Sequence, residues 1–303
     1  MKLTLTSRNC PVCDSSDRSV LFSEANFDLS RLDDFAFASR KLPEYMHWRL
    51  LECRRCDLLY ASPAPAPQSL GTAYYDAAFD SGVEARYAAV TYGRFLARVK
   101  RRLVSLDGAL DIGTGDGAFL EQLLDAGFTR VSGVEPSAAP IAAAAPAVRS
   151  LIRHAVFRVD DYAPEGLSLI TCFQTFEHLF DPLQMCRDAF RLLTPGGAVL
   201  FIGHNRRAVS ARVMGRRSPI FDIEHLQLFS PGSARRLLSS AGFGNVEVGS
   251  LLNRYPIAYW TKLLPLPSSL KRSLLGLLNG SRLGRIPVAL PAGNLFAIGY
   301  KAL

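Results

Sequence analysis

Short apolar runs alternate with helical runs from Gly108 to Val248, and this alternation restricts the fold more than any other feature of the sequence. The apolar spacing between the runs predicts helices at residues 118–126, 137–145, 183–193 and 233–241. The runs themselves predict strands at residues 109–112, 131–135, 156–159, 167–172, 199–202 and 246–248. Strands that alternate with helices favour a doubly wound, mostly parallel sheet of the α/β class. A further strand at 295–300 is expected to return to the edge of this sheet.

The regions on either side of the alternation differ from it in composition. Residues 1–60 hold four of the six cysteines, and the Ser-Pro-Ala-Pro-Ala-Pro run at 62–67 has the composition of a stiff linker. Residues 251–292 are rich in Leu and Pro. We therefore predict three parts: an N-terminal module at 1–65, a linker and helical cover at 66–105, and a main domain at 106–303 that carries the 251–292 insertion.

The segment from Asp111 to Gly117 reads Asp-Ile-Gly-Thr-Gly-Asp-Gly and lies between a predicted strand and a predicted helix. Glycines allow a sharp turn and a close approach to a ligand, and a helix N-terminus supplies N–H donors. Glu135 ends the next predicted strand, where a carboxylate can accept hydrogen bonds from both hydroxyls of a ribose. Asp111 would repel a pyrophosphate but attract an ammonium group. The Gly-x-Gly-x-Gly spacing also disfavours a nicotinamide dinucleotide. A glycine-rich turn without any ligand is the alternative.

Two Cys-x-x-Cys pairs, Cys10 with Cys13 and Cys53 with Cys56, lie in the N-terminal region. Each pair can present two thiolates to one ion, and two pairs complete a tetrahedral zinc site. Four thiolates leave no open coordination position, so we predict that this zinc is structural. Unpaired core cysteines and a redox pair are the alternatives.

The middle of the chain resembles the class I S-adenosylmethionine-dependent methyltransferases over residues 105–250. Five segments carry the resemblance in the family's order: Asp-Ile-Gly-Thr-Gly-Asp-Gly at 111–117, Gly-Val-Glu-Pro-Ser at 133–137, Cys-Phe-Gln-Thr-Phe-Glu-His-Leu-Phe-Asp-Pro at 172–182, Leu-Thr-Pro-Gly-Gly at 193–197, and Glu-His-Leu-Gln-Leu-Phe-Ser at 224–230 followed by Ala-Gly-Phe at 241–243. The third segment looks like that of the branch that methylates quinones and sugars. The resemblance implies a Rossmann-like, seven-stranded sheet with an antiparallel last strand, and S-adenosyl-L-methionine as methyl donor.

The resemblance also implies a set of cofactor-binding residues. Asp111 and Gly113 would contact the methionine portion, and Glu135 would bind the ribose. Asp160 or Asp161 would bind the amino group of adenine. The remaining residues of the implied cofactor site are Tyr75, Gly115, Asp116, Phe173 and Gln174.

The N-terminal region resembles the zinc module of methyltransferases that act in polysaccharide and deoxysugar synthesis. The resemblance rests on Cys-Pro-Val-Cys at 10–13, on Cys-Arg-Arg-Cys-Asp-Leu-Leu-Tyr at 53–60 and on Ser-Pro at 62–63. The Tyr74-Tyr75 pair resembles the aromatic pair in the helix that covers the cofactor in that group. The resemblance implies a zinc-ribbon-like module and a sugar-type acceptor, but it does not distinguish transfer to oxygen, nitrogen or carbon.

Three histidines are candidates for the base that an acceptor hydroxyl or acidic C–H group requires near neutral pH. His178 follows the fourth strand in the order of the chain, and His225 lies next to Glu224. His204 stands where the resembled family often has proline, so it brings an ionisable group to the predicted reaction centre. A structural histidine that binds a backbone group is the alternative for each.

The net charge is +8, and its distribution is uneven. Residues 248–303 hold seven basic and no acidic side chains. Five further arginines lie within 206–217, after a predicted strand, and guanidinium groups bind phosphate in a bidentate manner. We therefore predict an anionic small-molecule acceptor that Arg216 and Arg217 recognise. The insertion is expected to be a substrate lid, with a dimer surface or peripheral membrane contact through 255–285 as alternatives.

These features predict a cytoplasmic methyltransferase that acts on a phosphorylated small molecule such as a nucleotide- or lipid-linked sugar. No apolar run approaches the length of a membrane-spanning helix, and the N-terminus does not resemble a signal peptide. An RNA methyltransferase with a zinc module and a non-catalytic zinc-ribbon binding protein are the alternatives. Nucleic acid is the less expected partner, because residues 1–60 hold nine basic and nine acidic side chains.

Overall fold

The fold is described from a computed structural model, which covers residues 3–28, 45–75, 82–264 and 266–303. The N-terminal part consists of short strands followed by two helices: β1 (Leu5–Thr6), β2 (Ser19–Ser23), β3 (Leu50–Cys53), β4 (Leu59–Ala61), β5 (Ala64–Pro65), α1 (Pro67–Tyr75) and α2 (Gly82–Lys100). The predicted helical cover therefore corresponds to α1 and α2. The helices between the predicted strands also form within a few residues of their expected positions.

The main domain has the predicted alternation of strands and helices. Its elements are β6 (Ala109–Ile112), α3 (Ala118–Asp125), β7 (Val131–Glu135), α4 (Ala138–Ala143), α5 (Pro146–Arg149), β8 (Ile152–His154), β9 (Leu167–Phe173), α6 (Pro182–Leu192), β10 (Leu193–His204), α7 (Val209–Met214), β11 (Gln227–Leu228), α8 (Pro231–Ser240), β12 (Asn245–Pro256), α9 (Ile257–Leu263), α10 (Ser268–Asn279) and β13 (Pro287–Tyr300). Of the helices that the structure describes, none is long and apolar enough to cross a membrane.

Seven strands form one mixed sheet in the order β12-β13-β10-β9-β6-β7-β8. Six of them point in the same direction, and only β13 is reversed, pairing antiparallel with both of its neighbours, β10 and β12. The prediction that the last strand lies at the edge is wrong, because β13 is inserted between β10 and β12. The predicted insertion begins within β12 and ends within β13, so the two strands extend well beyond their expected lengths.

The predicted strand at 156–159 is also wrong. The strand forms earlier, at Ile152–His154, where it pairs with β7. The apolar side chains that suggested a strand have other surroundings: Phe157 stacks against Tyr162 with ring centroids 5.8 Å apart, and Val156 is exposed. A short apolar run does not by itself distinguish a strand from a loop that faces a cavity.

The N-terminal module is completed by a strand from the main domain. Its four-stranded sheet has the order β11-β4-β3-β2, and Gln227 pairs with Tyr60 in an antiparallel register. Helices α6 and α8 contribute to the core on one face of the large sheet, and α2 and α3 contribute to the core on the other. A third core joins the module to the segment that precedes β11, through Trp48, Leu59 and Ile223 among others. The module and the main domain therefore share apolar contacts as well as a sheet.

Candidate active site

A cavity of about 1140 Å³ opens where the parallel strands β6, β7 and β9 end. Ligands of open α/β sheets bind outside the carboxyl ends of the strands. Single small-molecule sites usually measure roughly 300–1,000 Å³, so the cavity has room for a cofactor and an acceptor together. One half of the cavity lies next to the glycine loop, and the other half lies next to the three candidate histidines.

The glycine loop after β6 approaches the cavity with its backbone. Gly113 and Gly115 have φ values of 72° and 58°, in the left-handed region that residues with a Cβ atom rarely adopt. A Cβ atom on Gly113 would lie 2.4 Å from the Thr175 hydroxyl, whereas one on Gly115 would meet no atom within 4 Å. The loop therefore packs closely at Gly113 and leaves open space at Gly115.

Two buried carboxylates flank this loop. Glu135 Oε2 accepts a hydrogen bond of 2.9 Å from the Gly115 amide, and Oε1 accepts one of the same length from the Ser137 amide. These bonds orient Glu135 and leave each oxygen one lone pair for a ribose hydroxyl. Asp111 accepts a hydrogen bond of 2.6 Å from the Thr171 hydroxyl, and burial raises its pKa to about 7. Burial also raises the pKa of Glu135 above its ordinary value.

Aromatic and amide side chains continue this half of the cavity. Phe173 packs between Phe119 and Tyr92, with ring centroids 4.5 Å and 4.8 Å apart. Gln174 has a φ of 53°, an uncommon value for a non-glycine residue, and its Nε2 donates to the Tyr92 hydroxyl at 3.3 Å. Asp116 also lines the cavity, as do Phe173 and Gln174. This half therefore contains most of the residues that the resemblance implied for the cofactor.

Three of the implied cofactor residues lie elsewhere. Asp160 and Asp161 do not line the cavity; Asp161 pairs with Arg153 at 3.1 Å, and residues 155–157 line the cavity near them. Tyr75 is exposed and contacts His154, whereas its neighbour Tyr74 lines the cavity. The difference at α1 follows from helix geometry, because Leu70 and Tyr74 are four residues apart and share the buried face. Adenine binding by Asp160 or Asp161 stays a prediction that this geometry does not favour.

The three candidate histidines meet on the other side of the cavity. His225 lies between the other two, with ring centroids 5.2 Å from His178 and 4.8 Å from His204. His178 Nδ1 and the Tyr74 hydroxyl are 2.9 Å apart, and His204 Nδ1 lies 3.1 Å from Asn294 Oδ1. The sequence predicted each histidine separately but not their contact, which joins segments that follow β9, end β10 and precede β11.

The hydrogen bond of His225 fixes its tautomer. Its Nδ1 lies 2.8 Å from the carbonyl oxygen of Ile220, and a carbonyl can only accept, so Nδ1 carries the proton and Nε2 carries a lone pair. Burial lowers the pKa of His225 to about 4. Burial, with the charges of His225 and His204, holds the pKa of His178 well below its ordinary value. Both imidazoles are therefore neutral at pH 7, and each keeps one ring nitrogen without a proton.

The charges around the cavity are negative rather than positive. Among the described residues that line it, seven are carboxylates and none is Lys or Arg; the seven are Asp111, Asp116, Glu135, Asp181, Asp188, Asp222 and Glu224. Arg216 and Arg217 are exposed and lie outside the lining, although Met214 and Ser218 on either side of them belong to it. The structure thus puts the two predicted phosphate-binding arginines by the rim rather than inside.

Two other arginines of the same cluster bind the N-terminal module. The Arg206 side chain is buried and contacts the Glu52 carboxylate at 2.6 Å and the Asp57 carboxylate at 3.3 Å. Arg207 pairs with the same two carboxylates. Because Glu52 and Asp57 flank the second cysteine pair, these arginines have a structural role that the sequence did not reveal.

The predicted insertion covers the cavity. Aromatic side chains from β12 and α9 pack together over it, with the Tyr255 and Tyr259 ring centroids 4.3 Å apart and those of Tyr255 and Trp260 5.4 Å apart. Asn253 also lines the cavity, and its buried Oδ1 has no hydrogen-bond partner among the described residues. The position agrees with the expected lid, while membrane contact through 255–285 stays a prediction.

The four cysteines of the two pairs converge within the module. Their sulfur atoms all lie within 4.8 Å of one another, with Cys10 and Cys56 3.4 Å apart and Cys13 and Cys53 3.5 Å apart. None of the four forms a disulfide. Zinc–sulfur bonds of about 2.3 Å in a tetrahedron require sulfur separations of about 3.8 Å, so the four side chains fit a zinc ion.

Comparisons with known proteins agree with this geometry. A family described as a methyltransferase domain matches residues 85–248, which is more than half of the chain. A ubiquinone biosynthesis O-methyltransferase of Pseudomonas entomophila is 31% identical over 125 residues, which are 37% of this chain and 52% of that protein. Its counterpart in Pseudomonas putida strain W619 is 32% identical over 125 residues, with the same shares. The chain thus spans about half the length of the curated relatives it matches.

The comparison with solved structures gives matches of low identity. A possible histamine N-methyltransferase of Thermotoga maritima has 18% identity and a TM-score of 0.47, covering 72% of this chain and 91% of that one. Phosphoethanolamine N-methyltransferase 2 of Haemonchus contortus, in complex with S-adenosyl-L-methionine, has 19% identity and a TM-score of 0.49, covering 81% and 63%. From the family match and the site geometry, we conclude that the chain belongs to the methyltransferase-domain family.

Proposed function

We propose that the protein binds S-adenosyl-L-methionine and transfers its methyl group to a hydroxyl group of a small acceptor. The observation that carries the proposal is the junction of two halves in one cavity. One half has the glycine loop and the Glu135 carboxylate, and the other has three histidines in contact. Membership of the methyltransferase-domain family supports the same reaction.

The cofactor half suits a ligand with a ribose and an ammonium group. Glu135 has lone pairs for two ribose hydroxyls, and the Asp111 carboxylate attracts the ammonium of the methionine portion. The open space at Gly115 allows the ligand to approach the loop backbone. When bound, S-adenosyl-L-methionine supplies a methyl group already activated by its sulfonium, so positioning accounts for much of the catalysis.

The acceptor half suits an uncharged hydroxyl. His225 Nε2 accepts the proton that the hydroxyl loses as its oxygen gains the methyl group. Asn253 Oδ1 accepts a hydrogen bond from a neighbouring hydroxyl of the acceptor. The names of the curated relatives, which are O-methyltransferases, support transfer to oxygen.

The acceptor that agrees best with the charges is a sugar whose phosphate stays outside the cavity. Seven carboxylates without a Lys or Arg among the described lining residues would repel a phosphate inside. The exposed guanidinium groups of Arg216 and Arg217 can bind a diphosphate at the rim while the sugar ring packs against Tyr255 and Trp260. A nucleotide- or lipid-linked sugar has this distribution of charge.

We also propose that Cys10, Cys13, Cys53 and Cys56 hold one structural zinc ion. Four thiolates complete the tetrahedron and leave no position for water, so this ion stabilises the module and takes no part in methyl transfer. Its support is the convergence of the four sulfur atoms from both pairs.

A panel of acceptors tests the proposed function. The protein is incubated with donor that carries a labelled methyl group and with four probes: a nucleoside diphosphate-linked sugar, the same sugar alone, a catechol and bulk RNA. We expect methylation of the linked sugar. Replacing Arg216 and Arg217 by Gln should raise the KM for the linked sugar but not for the free sugar, whereas Arg212→Gln serves as the matched exposed control.

The other outcomes identify the competing functions. Methylation of RNA alone, with a steep dependence on salt from many phosphate contacts, would overturn the sugar acceptor in favour of an RNA methyltransferase. Methylation of the catechol alone would support transfer to a hydroxyl group and contradict the proposal that the acceptor carries a phosphate. Binding of the donor without methylation of any probe would favour the non-catalytic function.

A further inference from the structure

Arg8 of the N-terminal module extends its guanidinium group into the main domain. Its Nη1 donates to the Phe180 carbonyl oxygen at 2.7 Å, and its Nη2 donates to the Leu226 carbonyl oxygen at 2.8 Å. Its Nε donates to Ala61 within the module at 2.9 Å. The guanidinium also lies over the Phe180 ring, 5.2 Å from the centroid.

The two carbonyl groups of the main domain belong to the segments that carry the catalytic candidates. Phe180 follows His178 by two residues, and Leu226 directly follows His225. One planar guanidinium therefore bridges the backbones of two segments that are distant in sequence. Because its N–H groups diverge at fixed angles, it sets the separation of the two carbonyls more rigidly than an ammonium group would.

Gln227 strengthens the same bridge. Its Oε1 accepts a second hydrogen bond from Arg8 Nη2 at 3.0 Å, and its Nε2 donates to the carbonyl oxygens of Phe176 and Leu179 at 2.6 Å and 2.7 Å. Phe176 precedes His178 by two residues, and Leu179 directly follows it. The amide and the guanidinium thus hold the His178 segment against the His225 segment from the side of the module.

We propose that Arg8 is a positioning residue that brings His178 and His225 to their working separation from the N-terminal module. The inference rests on the proposed function of the histidines. It gives the module a role in the acceptor half of the site: the module is the support from which Arg8 orients that half. Arg8 does not line the cavity, so it acts through the two backbone segments and not on the acceptor.

Nuclear magnetic resonance of protein labelled with ¹⁵N in its histidines tests this role without any acceptor. The variants are Arg8→Gln, which cannot bridge the carbonyls, and Arg8→Lys, which keeps the positive charge but lacks the diverging N–H groups of the guanidinium. Arg49→Gln is the matched control, because Arg49 donates to Ser62 within the module and its described partners are all module residues. Calorimetry with S-adenosyl-L-methionine checks that each variant retains the cofactor half.

Tyr74 and His204 contact the two imidazoles, Glu177 accepts a hydrogen bond from the His204 amide, and Asp222 and Glu224 line the same cavity. None of them is changed in these variants. We expect Arg8→Gln to raise the pKa of His178 and His225 by about one unit, because the separated segments admit water. Arg8→Lys should give a smaller shift in the same direction, and Arg49→Gln none.

Unchanged pKa values of His178 and His225 in folded Arg8→Lys and Arg8→Gln proteins would overturn the inference. If Arg8→Gln does not fold, Arg8→Lys alone decides between the two outcomes. A rise in both pKa values without any methyl transfer in the acceptor panel would leave the positioning intact and reject the proposed function instead, so the two failures are distinguishable.

Discussion

The two halves of the cavity are built in different ways. The cofactor half comes mainly from one continuous stretch, in which β6, the glycine loop, α3 and β7 follow one another in sequence. The acceptor half is assembled from α1, from the ends of β9 and β10, from the segment before β11 and from the insertion, with the module behind it. A local unit can form its site from a few adjacent residues, whereas an assembled site depends on contacts between distant segments. Substitutions should therefore affect the two halves independently.

The largest expected effect is on the acceptor half alone. His225→Ala should lower the rate of methyl transfer by about 10²- to 10⁴-fold, the usual contribution of a positioned general base. The affinity for S-adenosyl-L-methionine should stay within about twofold, since His225 lies on the other side of the cavity. Single-turnover kinetics with the best acceptor of the panel measures the rate, and His154→Gln is the control. A loss of cofactor binding in His225→Ala would show that the halves are not independent.

Glu135→Gln should weaken the binding of S-adenosyl-L-methionine in the cofactor half. A hydrogen bond to a charged group contributes about 1.5–3 kcal/mol, so its loss should raise the Kd for S-adenosyl-L-methionine by roughly 10- to 150-fold. Titration calorimetry measures the change. Glu121→Gln, an exposed residue of α3, is the matched control. Equal affinities of wild type and Glu135→Gln would contradict the ribose assignment.

Asp111 should make cofactor binding depend on pH. Burial raises its pKa to about 7, so the carboxyl is largely neutral at pH 6 and loses its attraction for the ammonium of the ligand. We expect the Kd for S-adenosyl-L-methionine to rise roughly fivefold to tenfold as the pH falls from 7.5 to 6. Calorimetry across this range measures it. Asp111→Asn should bind weakly at every pH and lose the dependence; a slope that persists in this variant would assign the titration to another group.

The smallest expected effect is the effect of a substitution in the module on the cofactor half. Cys53→Ser should remove the zinc ion, which elemental analysis detects, and loosen the module, because metal binding energy is local folding energy. The affinity for S-adenosyl-L-methionine should change by less than about threefold, since no described residue of the module lines the cavity. Cys186→Ser, outside the module, is the control for the loss of a buried thiol. A large loss of cofactor affinity in Cys53→Ser would mean that the module supports both halves.

The same difference explains what the sequence could predict. Asp111, Gly113 and Glu135 lie in one short strand–helix–strand stretch, so spacing along the chain was enough to bring them to the cavity. The convergence of the two cysteine pairs was also predictable, because two pairs at this spacing are typical of a single site; the zinc ion itself stays a prediction. The family match agrees with the broad assignment drawn from these motifs.

The acceptor half was less predictable, because contacts between distant segments leave little trace in a linear pattern. The sequence singled out three histidines but gave no sign that His225 lies between the other two. It selected Tyr75 rather than Tyr74, although the four-residue spacing from Leu70 to Tyr74 could have indicated the buried face. Nothing in the sequence pointed to Arg8, since a single arginine before a cysteine pair has no characteristic pattern.

The contribution of β11 to the module has a consequence for biosynthesis. A ribosome adds roughly 5–20 residues per second, and N-terminal domains generally fold first. The module cannot complete its four-stranded sheet in this way, because the strand that pairs with Leu59 and Tyr60 is made only when residues 227 and 228 emerge. For roughly 10–30 s the edge of β4 is left without this partner. A nascent chain stalled before residue 227 should therefore expose an open sheet edge to chaperones, whereas one stalled after α8 should not.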